Sequence, residues 1–188
     1  MHGYSEKTQR KLSKFLSLVL RHQPELIGIT LDEAGWTDIE ILIKKARAHG
    51  VFVDRGLLQQ VVKTNTKKRF ALHPHQDWIR ANQGHSVPVV LGYEPQEPPE
   101  TLYHGSIQKV RKQILKEGLQ KQKRHHVHLS LDRATATEVG KRHGKLFLLE
   151  VAAQKMFTDG HVFYQSENGV WLTESVPVEY LTPLDSPR

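Results

Sequence analysis

The 188-residue sequence contains no cysteine, and this absence excludes several kinds of chemistry. Disulfide scaffolds, cysteine nucleophiles, thiolate zinc sites and ordinary iron–sulfur centres all need thiols. No apolar run approaches the roughly 18 residues that a membrane-spanning helix needs. The first residues, MHGYSEKTQRKLSK, lack the apolar core of a signal peptide. We therefore expect a cytoplasmic protein whose reactive groups come from other side chains, among them twelve histidines.

Familiar phosphate-binding and hydrolase motifs are also missing. The chain has no G-x-x-x-x-G-K-[ST] loop, no G-x-G-x-x-G fingerprint and no G-x-S-x-G elbow. A nucleotide site in this chain is therefore neither of the P-loop nor of the Rossmann type. A metal site is disfavoured too, because His126 and His128 have no clear third ligand. We expect no metal.

Positive charge is concentrated in the middle of the chain. The formal net charge is +7, and residues 100–145 hold 11 basic but only 4 acidic side chains. Residues 146–188 hold 2 basic and 6 acidic side chains. This distribution indicates a surface that faces a polyanion, although a solvated basic face gives the same composition.

A proline-rich stretch, VPVVLGYEPQEPPE at residues 87–100, predicts an extended linker. We place the domain boundary there, giving domains 1–94 and 95–188. The first domain reads as three helices, of which the first has Ser5 as its N-cap and the second begins at Thr37 in a T-D-I-E capping box. The segments RFALH and WIRAN then form a hairpin. This is the order of a winged helix.

The second domain reads as α+β with many short strands. LYH, HVHLS, KLFLLEV, HVFYQ, VWLTE and VEYLT are the predicted strands. Ile107–Glu117 is a predicted helix that ends at Gly118, and Asp132 caps another helix that runs to about Arg142.

Several polar segments are candidates for anion binding, each with a plainer explanation. Arg21 and His22 end the first helix, where capping alone favours cations, but together they also suit a phosphate. Arg69, after Lys67 and Lys68, is either a phosphate clamp or part of a solvated turn. The loop IRANQGHS could contact phosphate and sugar groups, and a polar loop without a ligand fits as well. Its candidate residues are Arg80, Gln83, Gly84, His85 and Ser86.

Two further segments suggest a nucleotide site. In LYHGS, His104 and Gly105 stand at a strand end, where glycine permits close approach of a ligand, although a simple strand-to-helix turn also explains them. In KQKRHHVHLS, His126 and His128 share one strand face after Arg124. That pattern is either a basic surface strand or a strand that binds a ribose or nicotinamide.

Seven motifs in order give a specific resemblance: LSLVLRHQPELIGITLDEAGW, KKRFAL, IRANQGHS, LYHGS, HHVHLS, VGKRHGKLFLLEV and ENGVWLTESVPVEYL. Together they resemble the NAD-dependent RNA 2′-phosphotransferases, also called tRNA 2′-phosphotransferases, over about residues 10–182. The resemblance implies an N-terminal winged-helix lobe for RNA and a C-terminal ADP-ribosyltransferase-like lobe for NAD⁺.

The resemblance also implies the reaction. An internal RNA 2′-phosphate attacks the nicotinamide ribose and expels nicotinamide, and the neighbouring ribose hydroxyl then attacks phosphorus. The products are RNA with a 2′-hydroxyl and ADP-ribose 1″,2″-cyclic phosphate. A tRNA-like RNA with an internal 2′-phosphate, from tRNA splicing, is the expected partner, and we expect a monomer.

The family's motifs also assign residues. The catalytic residues that match are Arg21, His22, Arg69 and Arg124. The NAD-binding matches are His104, Gly105, Ser106, His128, Ser130 and Arg142, with Ser106 in place of a common threonine. No acidic residue can be assigned as the glutamate of many protein ADP-ribosyltransferases, which favours a phosphate acceptor. The basic groups of both domains are expected to meet where RNA phosphate meets NAD⁺.

Two alternatives stay open at this point. One is an ADP-ribosyltransferase that modifies nucleic-acid phosphates and stops after the first step. The other is a winged-helix RNA-binding module without catalysis, which does not explain why the NAD-binding motifs are present.

Overall fold

A computed structural model describes residues 4–184 of the protein. It forms two compact units, one ending at Gly92 and the next beginning at Tyr93. Each unit has its own cluster of buried apolar side chains. Between residues 4 and 184, every helix is too short or too polar to cross a lipid bilayer.

The N-terminal unit contains three helices and a small antiparallel sheet. Its elements are α1 (Glu6–Arg21), β1 (Thr37–Asp38), α2 (Ile39–Ala48), α3 (Arg55–Thr64), β2 (Phe70–Leu72) and β3 (Trp78–Ala81). The strand order is β1-β3-β2, and β2 and β3 form the predicted hairpin.

Local chemistry explains where α1 begins and which side it buries. The Ser5 side chain accepts a hydrogen bond from the Thr8 amide at 3.2 Å, so the predicted N-cap is confirmed. The buried positions then recur with helical spacing and join the core of the unit, which is the usual source of helix stability. They are Leu12, Leu16, Val19 and Leu20.

The capping box predicted at Thr37 is wrong. Thr37 belongs to β1, where it pairs with Ile79, and Asp38 is the N-cap of α2. The Asp38 carboxylate accepts from the Ile41 amide at 2.9 Å. Glu40 does not reach back toward the helix start but forms an ion pair with Arg55. Strand pairing of Thr37 therefore moves the N-cap by one residue, from Thr37 to Asp38.

The predicted linker has no helix or strand in the structure. Near its start, the Val90 amide donates to the carbonyl of Glu33 at 2.7 Å. Near its end, the Gln96 amide donates to the carbonyl of Phe163 at 2.8 Å. Each end of the segment is thus hydrogen-bonded to the unit to which it belongs.

The C-terminal unit is α+β, as predicted. Its elements are β4 (Leu102–Ile107), α4 (Arg111–Glu117), β5 (Leu119–Gln120), β6 (Val127–Leu129), α5 (Arg133–Lys141), β7 (Leu146–Val151), α6 (Ala153–Thr158), β8 (Phe163–Gln165), β9 (Trp171–Thr173), β10 (Ser175–Val176) and β11 (Leu181–Leu184). Two three-stranded sheets dominate, with strand orders β11-β7-β4 and β6-β9-β8, beside a β10-β5 pair.

The β6-β9-β8 sheet has one core face and one polar face. Side chains alternate along a strand, so residues of one parity share a face. Core positions are Val127, Leu129, Phe163 and Trp171. On the other face, His128 pairs with Leu172, and Leu172 pairs with Tyr164. Leu172 is 1% exposed, so this second face is polar only along its two outer strands, where His128 and Tyr164 lie.

Several elements of this unit differ from the sequence prediction. The strand predicted as LYH runs six residues, because Ile107 still pairs with Leu146. The helix predicted from Ile107 therefore begins as α4 at Arg111, after a 3₁₀ turn at Gln108–Val110. The short helix α6 is missing from the prediction, and no side chain caps its start.

Helix α5 lies directly on β4 without a side chain between the two backbones at Gly105. A Cβ added to Gly105 would lie 1.8 Å from the carbonyl oxygen of Ala136 and 2.9 Å from the amide nitrogen of Gly140. Neither neighbour is a flexible side-chain end that could move aside. Gly105 is therefore required for this packing, since any other residue forces backbone apart.

We expect Gly105→Ala to lower the free energy of unfolding by about 3 kcal/mol or more, because backbone overpacking cannot relax locally. Chemical denaturation measures this loss. Gly56→Ala is the matched control, because its new Cβ would meet the Tyr4 hydroxyl, a movable side-chain end, at 3.3 Å. Equal stability of the two variants would contradict the packing argument.

Candidate functional site

Arg21 and Arg69 lie together at one end of the N-terminal unit. Arg21 is the last residue of α1, and its Nη2 donates to the backbone carbonyl of Arg69 at 3.4 Å. Its guanidinium carbon lies 6.0 Å from the centre of the Phe70 ring. Two residues that are 48 positions apart in sequence thus meet where α1 ends and β2 begins.

The loop after β3 closes this end of α1 and holds His22. The Ser86 amide donates to the carbonyl of Arg21 at 2.8 Å, which satisfies one of the open carbonyls at the helix end. The Ser86 hydroxyl and His22 Nδ1 are hydrogen-bonded at 2.9 Å. Gly84 has φ of +84°, and a Cβ there would lie 3.6 Å from Arg21 Nη1. The loop therefore packs against both members of the Arg-His pair.

Arg69 is fixed through its backbone as well as its side chain. The Asn82 amide donates to the Arg69 carbonyl at 2.9 Å, and the Asn82 side chain donates to the Lys68 carbonyl at 2.7 Å. Arg69 Nη1 donates to the Asn65 side-chain oxygen at 3.4 Å. Arg21, His22 and Arg69 together form a basic group that suits an oxyanion, because guanidinium can bind phosphate through two parallel hydrogen bonds.

The five residues predicted to bind RNA play unequal parts in the structure. His85 is 1% exposed, so its side chain belongs to the interior of the unit. The Arg80 guanidinium lies 4.6 Å from the centre of the Trp36 ring, a cation–π contact. Ser86 holds His22, and Gly84 packs on Arg21. Only Gln83 has no such role among the described contacts.

In the C-terminal unit, the strands that carry His104 and His128 are joined directly. Tyr103 and Ser130 exchange backbone hydrogen bonds of 2.9 and 2.8 Å, which links β4 to β6. His104 Nδ1 lies 2.9 Å from the carbonyl oxygen of His128. The structure thus brings the two predicted cofactor-binding segments, LYHGS and HVHLS, side by side.

The bond to His128 determines which nitrogen of His104 carries the proton. A carbonyl oxygen only accepts, so Nδ1 donates and Nε2 of the neutral ring is an acceptor. Burial lowers the pKa of His104, and the positive charge of Arg124 adds to this, while the carbonyl hydrogen bond opposes it. His104 is therefore a neutral acceptor suited to a hydroxyl group.

The hydrogen bond from Arg124 determines the tautomer of His128, which is the opposite of the His104 tautomer. Arg124 Nη1 lies 3.2 Å from His128 Nδ1. Guanidinium nitrogens only donate, so Nδ1 accepts and Nε2 of neutral His128 carries the proton. Partial burial lowers the pKa of Arg124, but guanidinium remains charged throughout the physiological range. The two histidines thus offer one Nε2 acceptor and one Nε2 donor.

The remaining predicted cofactor-binding residues separate into three kinds. Because Gly105 has no side chain, α5 packs directly against β4, so this glycine is already required for folding. The Ser106 and Ser130 hydroxyls make no hydrogen bond with any residue between 4 and 184, which leaves both available to a ligand. Arg142 is exposed at the end of α5, and its side chain makes no hydrogen bond within the same range.

Three rings form what we call the aromatic cluster: Tyr93, His126 and Tyr164, of which the sequence analysis considered only His126. Ring centres of His126 and Tyr164 are 5.5 Å apart, and Tyr93 lies 6.3 Å from His126 and 6.4 Å from Tyr164. The alternation in HVFYQ, with Phe163 in the core, could have placed Tyr164 on the polar face. Pairing of β8 with β9 was needed to bring it near His126.

Within the described part of the chain, no three His, Asp or Glu side chains are grouped as a metal site requires. The arrangement instead combines guanidinium, imidazole and hydroxyl groups. Such groups bind anions, accept and donate hydrogen bonds, and move protons near neutral pH.

We expect His104 to remain neutral at pH 6.5, with its proton on Nδ1. Because its pKa is lower in the folded state, the unfolded chain binds the proton more readily, and stability falls as pH drops below about 6.5. Long-range ¹H–¹⁵N NMR measures the pKa and the tautomer, and His104→Gln identifies the signal. A pKa above 6.5, or a proton on Nε2, would contradict the hydrogen-bond assignment.

The comparisons with known proteins agree on one family. A sequence model described as RNA 2′-phosphotransferase, Tpt1/KptA family, matches residues 7–175. The chain is 54% identical over 179 residues to a "Probable RNA 2′-phosphotransferase" of Rhodopirellula baltica, covering 95% of this chain and 97% of that protein. It is 54% identical over 176 residues to a protein of the same name from Pseudomonas aeruginosa, covering 93% and 97%.

A third relative, from Agrobacterium fabrum and named identically, is 53% identical over 170 residues, covering 90% of this chain and 91% of that protein. The match extends through both units and includes every site residue discussed above. The chain therefore belongs to the RNA 2′-phosphotransferase, Tpt1/KptA family.

Proposed function

We propose that this protein is an RNA 2′-phosphotransferase that uses NAD⁺ as the phosphate acceptor. The observation that carries the proposal is the grouping of Arg21, His22 and Arg69 at one end of the N-terminal unit. Family membership supports the RNA 2′-phosphate as the group that they bind. The neutral acceptor His104, beside His128, supports a ribose-containing ligand on the C-terminal unit.

The proposal gives each unit one task. The N-terminal unit, with three helices and a hairpin, acts as a winged-helix lobe for RNA. The C-terminal unit acts as an ADP-ribosyltransferase-like lobe for NAD⁺, and the substrate class is RNA with an internal 2′-phosphate, as tRNA splicing produces. We also propose that the protein acts in the cytoplasm as a monomer without a metal.

Arginine suits the phosphate because the migrating group stays negatively charged throughout transfer. A guanidinium stabilises developing oxyanion charge without giving up its proton. Arg21 and Arg69 are held by backbone and loop contacts, so little reorganisation accompanies binding. Arg124 supplies further charge from the C-terminal unit, and its bond to His128 fixes the position of both side chains.

The C-terminal unit offers hydrogen-bonding groups that fit a dinucleotide. His104 Nε2 can accept a ribose hydroxyl proton, and the Ser106 and Ser130 hydroxyls can donate or accept. When bound, NAD⁺ supplies the ribose to which the phosphate is transferred. His22, held by Ser86, either orients the phosphate or transfers a proton at neutral pH.

A short RNA with one internal 2′-phosphate, incubated with and without NAD⁺, tests the reaction. We expect 2′-hydroxyl RNA and a cyclic ADP-ribose phosphate only when NAD⁺ is present. Accumulation of ADP-ribosylated RNA would instead favour an ADP-ribosyltransferase that acts on nucleic-acid phosphates. No effect of NAD⁺ would leave an RNA-binding module and overturn the proposal.

Replacement of Arg69 or Arg124 by alanine is expected to reduce kcat by about 100-fold or more, the usual cost of losing one electrostatic contact to the transition state. Lysine at either position is expected to restore little of the lost kcat, because an ammonium group cannot form the two parallel hydrogen bonds of a guanidinium. Arg10→Ala, which removes the same charge from an exposed site in α1, is the control. Parallel loss of thermal stability and activity in the Arg69 and Arg124 variants would count against catalytic roles.

Ser86→Ala tests the positioning of His22 separately. The Ser86 amide still bonds Arg21 in this variant, so the loop stays in place while His22 loses its hydroxyl partner. We expect kcat to fall by up to about tenfold, the value of one hydrogen bond, and threonine to restore it. A shift of the pH–rate profile in the alanine variant, with the melting temperature unchanged, distinguishes positioning of His22 from a general structural defect.

A further inference from the structure

The aromatic cluster lies outside the core of the C-terminal unit and has no role in the function proposed above. Tyr93, His126 and Tyr164 are each half-buried, so each ring keeps exposed surface. The two tyrosine rings are inclined by 36°, and the His126 ring is edge-on to both. Rings packed in this way form a partly exposed aromatic surface and are not part of a closed core.

The cluster shares a sheet face with the Arg124–His128 pair. His126 lies in the bend just before β6, and its ring contacts Tyr164, which is on the same face of the sheet as His128. Tyr164 is level with His128 across the sheet, with Leu172 between them. Strands are about 4.8 Å apart, so roughly 10 Å separates the Tyr164 and His128 backbones. One bound ligand can therefore touch both Arg124 and the rings.

The charges around the cluster favour a polyanion, while the rings themselves are neutral. Lys123 and Arg124 lie shortly before His126 in the chain, whereas Lys121 is already ion-paired with Glu174. Burial lowers the pKa of His126, and the neighbouring His125 and Lys121 lower it further against the opposite effect of Glu174. At neutral pH His126 is therefore an aromatic surface rather than a cation.

Neutral rings beside a row of cations are the usual surface for single-stranded nucleic acid, in which cations bind phosphates and rings stack on bases. We infer that the aromatic cluster stacks a nucleobase of the RNA adjacent to the 2′-phosphorylated nucleotide. The inference rests on the proposed function, because that function assigns RNA phosphate to Arg124. It adds a requirement that phosphate contacts cannot impose: the neighbouring base must be unpaired to reach the rings.

The experiment uses a short RNA with an internal 2′-phosphate and 2-aminopurine as the base of the adjacent nucleotide. Stacking quenches the fluorescence of this base. We expect quenching when the full-length protein binds, and loss of quenching in Tyr164→Leu and Tyr93→Leu. In both variants the Kd for the RNA should rise about tenfold, within the range of one base–aromatic stack.

Two control variants separate stacking from folding. Tyr164→Phe keeps the ring and should keep the quenching. Phe52→Leu removes an aromatic ring that is 65% exposed in the N-terminal unit, and it should leave quenching and Kd unchanged. Binding without quenching in the wild-type protein, or equal quenching in the wild-type, Tyr164→Leu and Tyr93→Leu proteins, would overturn the inference.

Two further measurements identify the source of the stacked base and separate the two proposals. Excess ADP-ribose and nicotinamide, which together present both bases of the dinucleotide but cannot accept the RNA phosphate, should leave the quenching intact, and loss of the signal by competition would mean that the rings take a base of the dinucleotide instead. The same RNA is then assayed for removal of its 2′-phosphate. Phosphate removal without quenching overturns only the stacking inference, whereas quenching without phosphate removal overturns only the proposed function.

Discussion

The backbone exchange between Tyr103 and Ser130 is the connection on which the site of the C-terminal unit depends. These two hydrogen bonds join strands of different sheets, β4 and β6, at a single bridge. The bridge lies one residue from His104 and two from His128, so it brings the His104 ring to the His128 carbonyl. Ser130 of the candidate site is itself part of this bridge, and Ser106 lies three residues after Tyr103 on β4. Through this bridge, the two histidine segments lie side by side although they belong to different sheets.

The two histidines show how partners select chemistry for identical side chains. His104 donates to a carbonyl, and His128 accepts from a guanidinium, so the Nε2 atoms of the two neutral rings have opposite character. Neither state follows from the residue type, because free imidazole adopts both tautomers. In the N-terminal unit, the Ser86 hydroxyl holds His22, which gives a third histidine environment. A few neighbouring groups thus give one residue type an acceptor state, a donor state and a position fixed by a hydroxyl.

Sequence patterns predicted the features that depend on neighbouring residues. Ser5 and Asp132 cap helices as expected, because an N-cap needs only the next three residues. The start of α2 was wrong because Thr37 pairs with Ile79, a partner 42 positions away. The resemblance named the site residues, but it could not show that His85 is buried or that Tyr164 lies beside His126. Those facts depend on long-range pairing, which local periodicity does not contain.

Gly105 has a consequence for how the segment LYHGS changes over evolution. The glycine is held by helix packing, whereas the flanking His104 and Ser106 present the groups available to a ligand. Selection on folding therefore acts on the middle position, and selection on ligand binding acts on its neighbours. A descendant that lost the activity but kept the fold would be free to vary both flanking residues while retaining the glycine.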